Sequence, residues 1–236
     1  MTPVLGRRAA LTLLGLAAPA ALAACGSAST ASPRPVSAGT RLATDWSARP
    51  AGTGAQAGDE GVPFRVVAHD APAPVVRDGG LEAGLPDAHS ATYVLADAGA
   101  DVVRIGATFA FGPGSEAGSL CLAAFTGVPL EGPAPRTRCH FVITPLRWVY
   151  GVIEDGTSLA TLARGVHTVP LRQDGTPYSA EAVIVGSTAS LSLPDGTTTA
   201  VGDPRIGTLG GPLACWEYYK DAAGAADLRL LRSWAG

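Results

Sequence analysis

The run Asp101-Val102-Val103-Arg104-Ile105-Gly106-Ala107-Thr108-Phe109-Ala110-Phe111 is the longest clean alternation in the chain. Val103, Ile105, Ala107, Phe109 and Phe111 fall on one side, and Arg104, Gly106, Thr108 and Ala110 on the other. Successive side chains of a strand point to opposite faces, so the pattern predicts a strand with one better-buried face. Shorter runs of the same kind cover 62–69, 91–96, 119–126, 139–144, 147–154, 166–172, 180–185, 187–193, 197–201, 212–220 and 228–234. Gly and Pro recur between them, as in the connections of a sandwich. Asp195-Gly196 predicts a two-residue hairpin, with positive φ at both positions. No stretch keeps a long helical period, and only 157–163 suggests a helical turn. A doubly wound α/β fold needs helices between its strands. The expected class is therefore all-β: an antiparallel two-sheet β-sandwich of the jelly-roll kind.

The N-terminal segment follows another plan. Arg7 and Arg8 precede an apolar run of about 16 residues that ends in Leu22-Ala23-Ala24-Cys25-Gly26. A positive region, an apolar region and small residues form the order of a secretory signal. The run contains Pro19 and is shorter than the ~20 residues that span a bilayer. With Cys25 directly after the small residues, the segment resembles a bacterial lipoprotein signal, with Leu22-Ala23-Ala24-Cys25 as its lipobox. The resemblance implies that 1–24 is removed and that Cys25 is acylated on its thiol and becomes the mature N-terminus. An ordinary signal with an unrelated Cys is the plainer alternative. Residues 25–40 lack aromatics and any apolar period, so they cannot bury enough surface to offset ordering. They read as a lipidated tether, with the β-sandwich domain at 41–236. The expected place is the outer face of the cell membrane, by way of Cys25. The heavy use of Ala, Gly and Arg matches a GC-rich, actinobacterial type of lipoprotein.

The formal net charge is −3, and Lys220 is the only lysine. Such a chain lacks the basic footprint that nucleic acid demands. It also lacks a polybasic patch for anionic lipid, so attachment rests on the acyl chains. Beyond Cys25 the cysteines are Cys121, Cys139 and Cys215. In an oxidising compartment a disulfide is expected. Cys121–Cys139 is the preferred pair, because both lie in strands joined by one loop; pairings through Cys215 stay open. Such a bridge would contribute about 3 kcal/mol. The four His residues are scattered, and only Cys139-His140 form a close pair. No metal and no cofactor are expected, since a metal site needs a compact Cys/His cluster.

Three C-terminal stretches carry a second resemblance. They are 140–152 (HFVITPLRWVYGV), the run 182–193 with the turn Pro194-Asp195-Gly196, and Ala214-Cys215-Trp216-Glu217-Tyr218-Tyr219. In strand order they resemble concanavalin A-like lectin/glucanase (LamG-like) jelly rolls, over roughly 40–236. The resemblance implies two stacked sheets, one concave, where many members bind or cleave sugars. The glucanase branch sets its carboxylates as Glu-x-Asp-x-Glu on one strand, and this chain has no such motif. Glu181 and Glu217 are single carboxylates in strands, able to serve only by meeting across strands. A nucleophile elbow, a zinc-protease helix and a phosphate loop are missing as well. No catalytic residue is therefore assigned.

Aromatic residues remain. Trp148 and Tyr150 share one strand face, and Trp216 and Tyr218 another. Either pair would suit a sugar ring, or would fill the sandwich core. The sequence thus predicts a non-catalytic, membrane-anchored module that binds envelope polysaccharide or a protein partner. The alternative is a glycan hydrolase with carboxylates assembled across strands.

Overall fold

The structure is a computed structural model that describes residues 41–84, 87–125, 138–154, 159–222 and 228–236. The signal-like segment 1–24, Cys25 and the tether to residue 40 lie outside the described residues. Fifteen strands run through the rest. They are β1 (Leu42–Asp45), β2 (Arg65–His69), β3 (Val75–Arg77), β4 (Gly80–Glu82) and β5 (Ala91–Asp97). Next come β6 (Arg104–Phe111), β7 (Gly118–Phe125), β8 (Arg138–Ile143), β9 (Arg147–Ile153) and β10 (Leu159–Val166). The last are β11 (Pro177–Val185), β12 (Thr188–Ser192), β13 (Thr198–Gly202), β14 (Leu213–Lys220) and β15 (Leu228–Ala235). A short helix, α1 (Pro204–Leu209), starts at Asp203, whose carboxylate accepts the Arg205 amide, with Pro204 leading the first turn.

An eight-stranded sheet has the order β13-β12-β11-β6-β15-β4-β3, with β1 also on β15. A seven-stranded sheet has the order β10-β9-β8-β7-β14-β5-β2. The named strand pairs are antiparallel throughout, which makes an all-β, two-sheet β-sandwich. One face of β6 supplies Ile105, Ala107, Phe109 and Phe111 to the core, as its alternation predicts. Val103 is the exception at 52% exposed, because the strand begins only at Arg104. The opposite face is covered too. A Cβ at Gly106 would come within 2.4 Å of the Trp234 ring, so the missing side chain is what lets that indole lie on the strand.

Three local expectations need correction. Of the segment expected as a helical turn, 157–158 lie outside the described residues and 159–163 is instead the start of β10, which pairs with β9 and is bulged between Thr161 and Ala163. Its strand bonds to β9 outweigh a weak local pattern. The run 166–172 is a strand only at Val166. Beyond it the chain bonds to the β8–β9 turn, through His167 to Leu146 and Leu171 to Pro145. The β12–β13 turn also differs from the expected form. The Gly196 amide bonds the Leu193 carbonyl at 3.0 Å, and Leu193 bonds Thr197 at 2.8 Å. Gly196 carries φ +85°, and Asp195 is not in the positive region. Pro194 sets φ near −65° at its own position, which favours a type I turn closed by a left-handed Gly.

The disulfide expectation also fails. Cys121, Cys139 and Cys215 are all free and buried. Cys139 faces the core and Cys121 the other side of the sheet. In the β7–β8 register Cys139 pairs with Ala124, three positions from Cys121. That is roughly 10 Å along a strand, beyond the ~7 Å Cα separation a bridge spans.

Candidate functional site

The outward face of the seven-stranded sheet holds the site. Strand β14 alternates strictly. Trp216 and Tyr218 point into the core, and Cys215, Glu217 and Tyr219 point outward. Glu217 sits opposite Tyr93 on β5 and Cys121 on β7. Cys121 sits opposite Val142, and Ala123 opposite His140, on β8. Strand β9 adds Arg147, Val149 and Ile153 on the same face. With Tyr93, Cys121, His140, Val142, Glu217 and Tyr219 these line a cavity of about 460 Å³, to which Arg138, Thr144, Leu159 and Asp221 also contribute. A Cβ at Gly151 would meet the Ala160 carbonyl oxygen at 2.6 Å and the Leu159 side chain at 2.7 Å, so its absence lets β10 and Leu159 lie close to β9.

A buried carboxylate lies at the bottom. Glu217 Oε2 stands 3.1 Å from His140 Nε2 and 3.8 Å from Arg138 Nη2, and all three side chains are buried. Burial pushes the Glu217 carboxyl up, but the hydrogen bond from His140, nearby positive charge and the Tyr93 hydroxyl together hold it below the usual range. Burial also pulls the His140 imidazole below its ordinary value, against the opposing pull of Glu217. The pocket floor thus sets a carboxylate between a guanidinium and an imidazole. Burial, aided by Glu217, pushes the Cys121 thiol well up, so it keeps its proton. A protonated thiol is a poor nucleophile. The rim is wetter. Arg147 and Asp221 are exposed, and half-buried Tyr219 holds His89 Nδ1 at 3.0 Å through its hydroxyl.

Among the described residues the pocket is lined by two carboxylates, Glu217 and Asp221, four positions apart, with Asp221 just past the end of β14. Glycosidases work with a pair roughly 5–9.5 Å apart, whereas Glu217 is engaged by His140 and Arg138. Glu181 does not approach Glu217. It lies in the other sheet, accepts the Trp234 Nε1 hydrogen at 2.9 Å and stands 3.6 Å from Arg104.

The aromatic residues expected to bind sugar are core residues instead. Trp148, Tyr150, Trp216 and Tyr218 are all buried between the sheets. Trp216 Nε1 donates to the Gly106 carbonyl at 3.0 Å, and the Tyr218 hydroxyl donates to the Leu81 carbonyl at 2.6 Å. Both acceptors belong to the opposite sheet, so these side chains tie the two layers together. Trp148 lies on Gly165, where a Cβ would come within 2.8 Å of its ring. The side chains that face the pocket are their neighbours by one position, which the alternation itself pointed to. Choosing the wet face required the sheet order. The sequence also gave no sign that Cys121, His140 and Glu217 meet. Their ligand atoms lie within 4.8 Å of one another, brought together from three strands.

No protein-family model matches the chain, and no curated protein matches its sequence. Solved structures share its shape. The chain is similar to the carbohydrate binding module CBM66 from Bacillus subtilis, with TM-score 0.50 and 11% identity over 71% of this chain and 94% of that one. It is also similar to a protein of unknown function with a galectin-like fold from Bacillus subtilis, with TM-score 0.53 and 12% identity over 73% and 87%. At that identity the likeness bears on fold, and the fold is a jelly roll of the galectin-like kind.

Proposed function

We propose that this chain is an exported, lipid-anchored glycan-binding module, and that the pocket on the outward face of the seven-stranded sheet is its sugar site. The observation that carries the reading is the pocket itself. It is about 460 Å³, within the size of small-ligand sites. It offers the ring of Tyr219 for stacking and Arg147, Asp221 and Thr144 for hydroxyl groups. Similarity to a carbohydrate binding module supports it at the level of fold. The engagement of Glu217 by His140 and Arg138 favours binding over hydrolysis. The polysaccharides of the cell envelope are the ligands within reach of a Cys25 anchor.

A glycan array on the purified protein, followed by titration of the best hit, tests this. Tyr219→Ala and Arg147→Ala change half-buried and exposed residues, so the fold should survive them. Each should weaken binding by about tenfold, or roughly 1.4 kcal/mol. Unchanged affinity in both variants would place the ligand elsewhere. Turnover that disappears in Glu217→Gln would give the protein to the hydrolase reading.

A further inference from the structure

We propose that Cys121, His140 and Glu217 bind a divalent transition metal ion of the zinc type at the floor of the pocket. The proposal stands on these three side chains and does not depend on the sugar reading. Cys121 and Glu217 are direct cross-strand partners, and His140 lies two positions from Val142, the other partner of Cys121. All three project from the same face, and their ligand atoms lie within 4.8 Å of one another. Zinc bonds of ~2.0–2.3 Å in a tetrahedron put ligand atoms roughly 3.3–3.8 Å apart. The set must therefore draw in by about an ångström, which side-chain rotation can supply.

The donor types select the ion. Thiolate, imidazole and carboxylate suit zinc and its neighbours, whereas magnesium and calcium take oxygen alone. Three protein donors leave a fourth position, and the cavity lies beside the set to hold a water or a ligand oxygen there. The ring nitrogen on the Glu217 side is Nε2, 3.1 Å from Oε2, so Nε2 is the imidazole atom placed to share an ion with Glu217.

Arg138 opposes a cation, since it stands 3.8 Å from Glu217. Loss of the Cys121 proton offsets that repulsion. The S–H bond breaks, a sulfur–metal bond forms, and the proton passes to solvent. Two anionic donors then face the dication.

The test uses purified protein stripped with a chelator. Zinc chloride is titrated by calorimetry in two buffers of different ionisation heat, and cobalt(II) by absorption. The expected result is one zinc per chain, about one proton released per zinc at pH 7, and a thiolate-to-cobalt charge-transfer band. Cys121→Ser should abolish the band and weaken zinc binding at least tenfold. Cys139→Ser, on the core side, should keep both. Absence of saturable zinc binding, absence of proton release, or a cobalt band that survives Cys121→Ser overturns the site. The first two readings use unsubstituted protein, so a variant that fails to fold leaves them intact. Glycan binding by zinc-free protein would separate failure of this site from failure of the sugar reading.

Discussion

His167 shows how one side chain couples this fold to pH. Its ring Nε2 stands 3.1 Å from the Thr144 carbonyl oxygen, and the residue is buried. Burial pulls its pKa below the ordinary 6.5, despite that hydrogen bond and the nearby Asp195 charge. The unfolded chain therefore takes up a proton at a higher pH than the folded one does. Stability from this group is complete above about pH 7 and declines as the pH falls through ~6.5. Thermal melts at pH 7.5 and pH 5.5 should show a drop, and His167→Gln should shrink it. His140 shifts in the same direction, so the drop should not vanish. An equal drop in His167→Gln would mean that His167 stays accessible to protons. Little of this was legible in the sequence, where four His residues look alike. Burial comes from the sheets, and His167 is buried through the path its segment takes past the β8–β9 turn.

At the scale of elements, most strands were legible because alternation and turn residues are local, while the short β1, β3 and β4 carry too few residues to show a period. The runs that became β5, β7, β8, β9, β12, β13, β14 and β15 match their sequence limits to within a residue or two. Strand β10 was not legible, because Leu159–Val166 is an edge whose strand partner among the described residues is β9 and whose side chains are half-buried or exposed. Turn chemistry was half legible: the position was right and the type was not. Gly196 has open space around its Cα, so a side chain there would meet backbone strain alone. Gly196→Val should therefore cost about 1–2 kcal/mol in urea unfolding. A midpoint that does not move would mean the turn adopts another conformation. Beside it, the Asp195 carboxylate accepts the Thr168 and Thr197 amides at 2.7 and 3.1 Å. Burial works against that carboxyl, yet these bonds and the Thr hydroxyls draw it down to about 2. The turn thereby pins the β10–β11 connection.

For the whole molecule, the proposed Cys25 anchor would set where the pocket works. Cys25→Ala should move the protein from the membrane fraction to the soluble exported fraction and abolish labelling by a fatty-acid probe. Retention of both after a salt wash would remove the lipoprotein reading. The class of the fold was readable from pattern, and the site was not, because a cavity made by six strands depends on sheet order rather than on any motif. Strand β14 then has a consequence for how such a site can change over time. Its alternate side chains build the interlayer core and the pocket floor. Inserting or deleting one residue inside β14 would exchange the two sets, sending Glu217 inward and Trp216 out. Length changes in this strand are therefore closed to evolution. New specificity must come by substitution at outward positions such as Arg147 and Val149, where a changed side chain alters the pocket and leaves the layers joined.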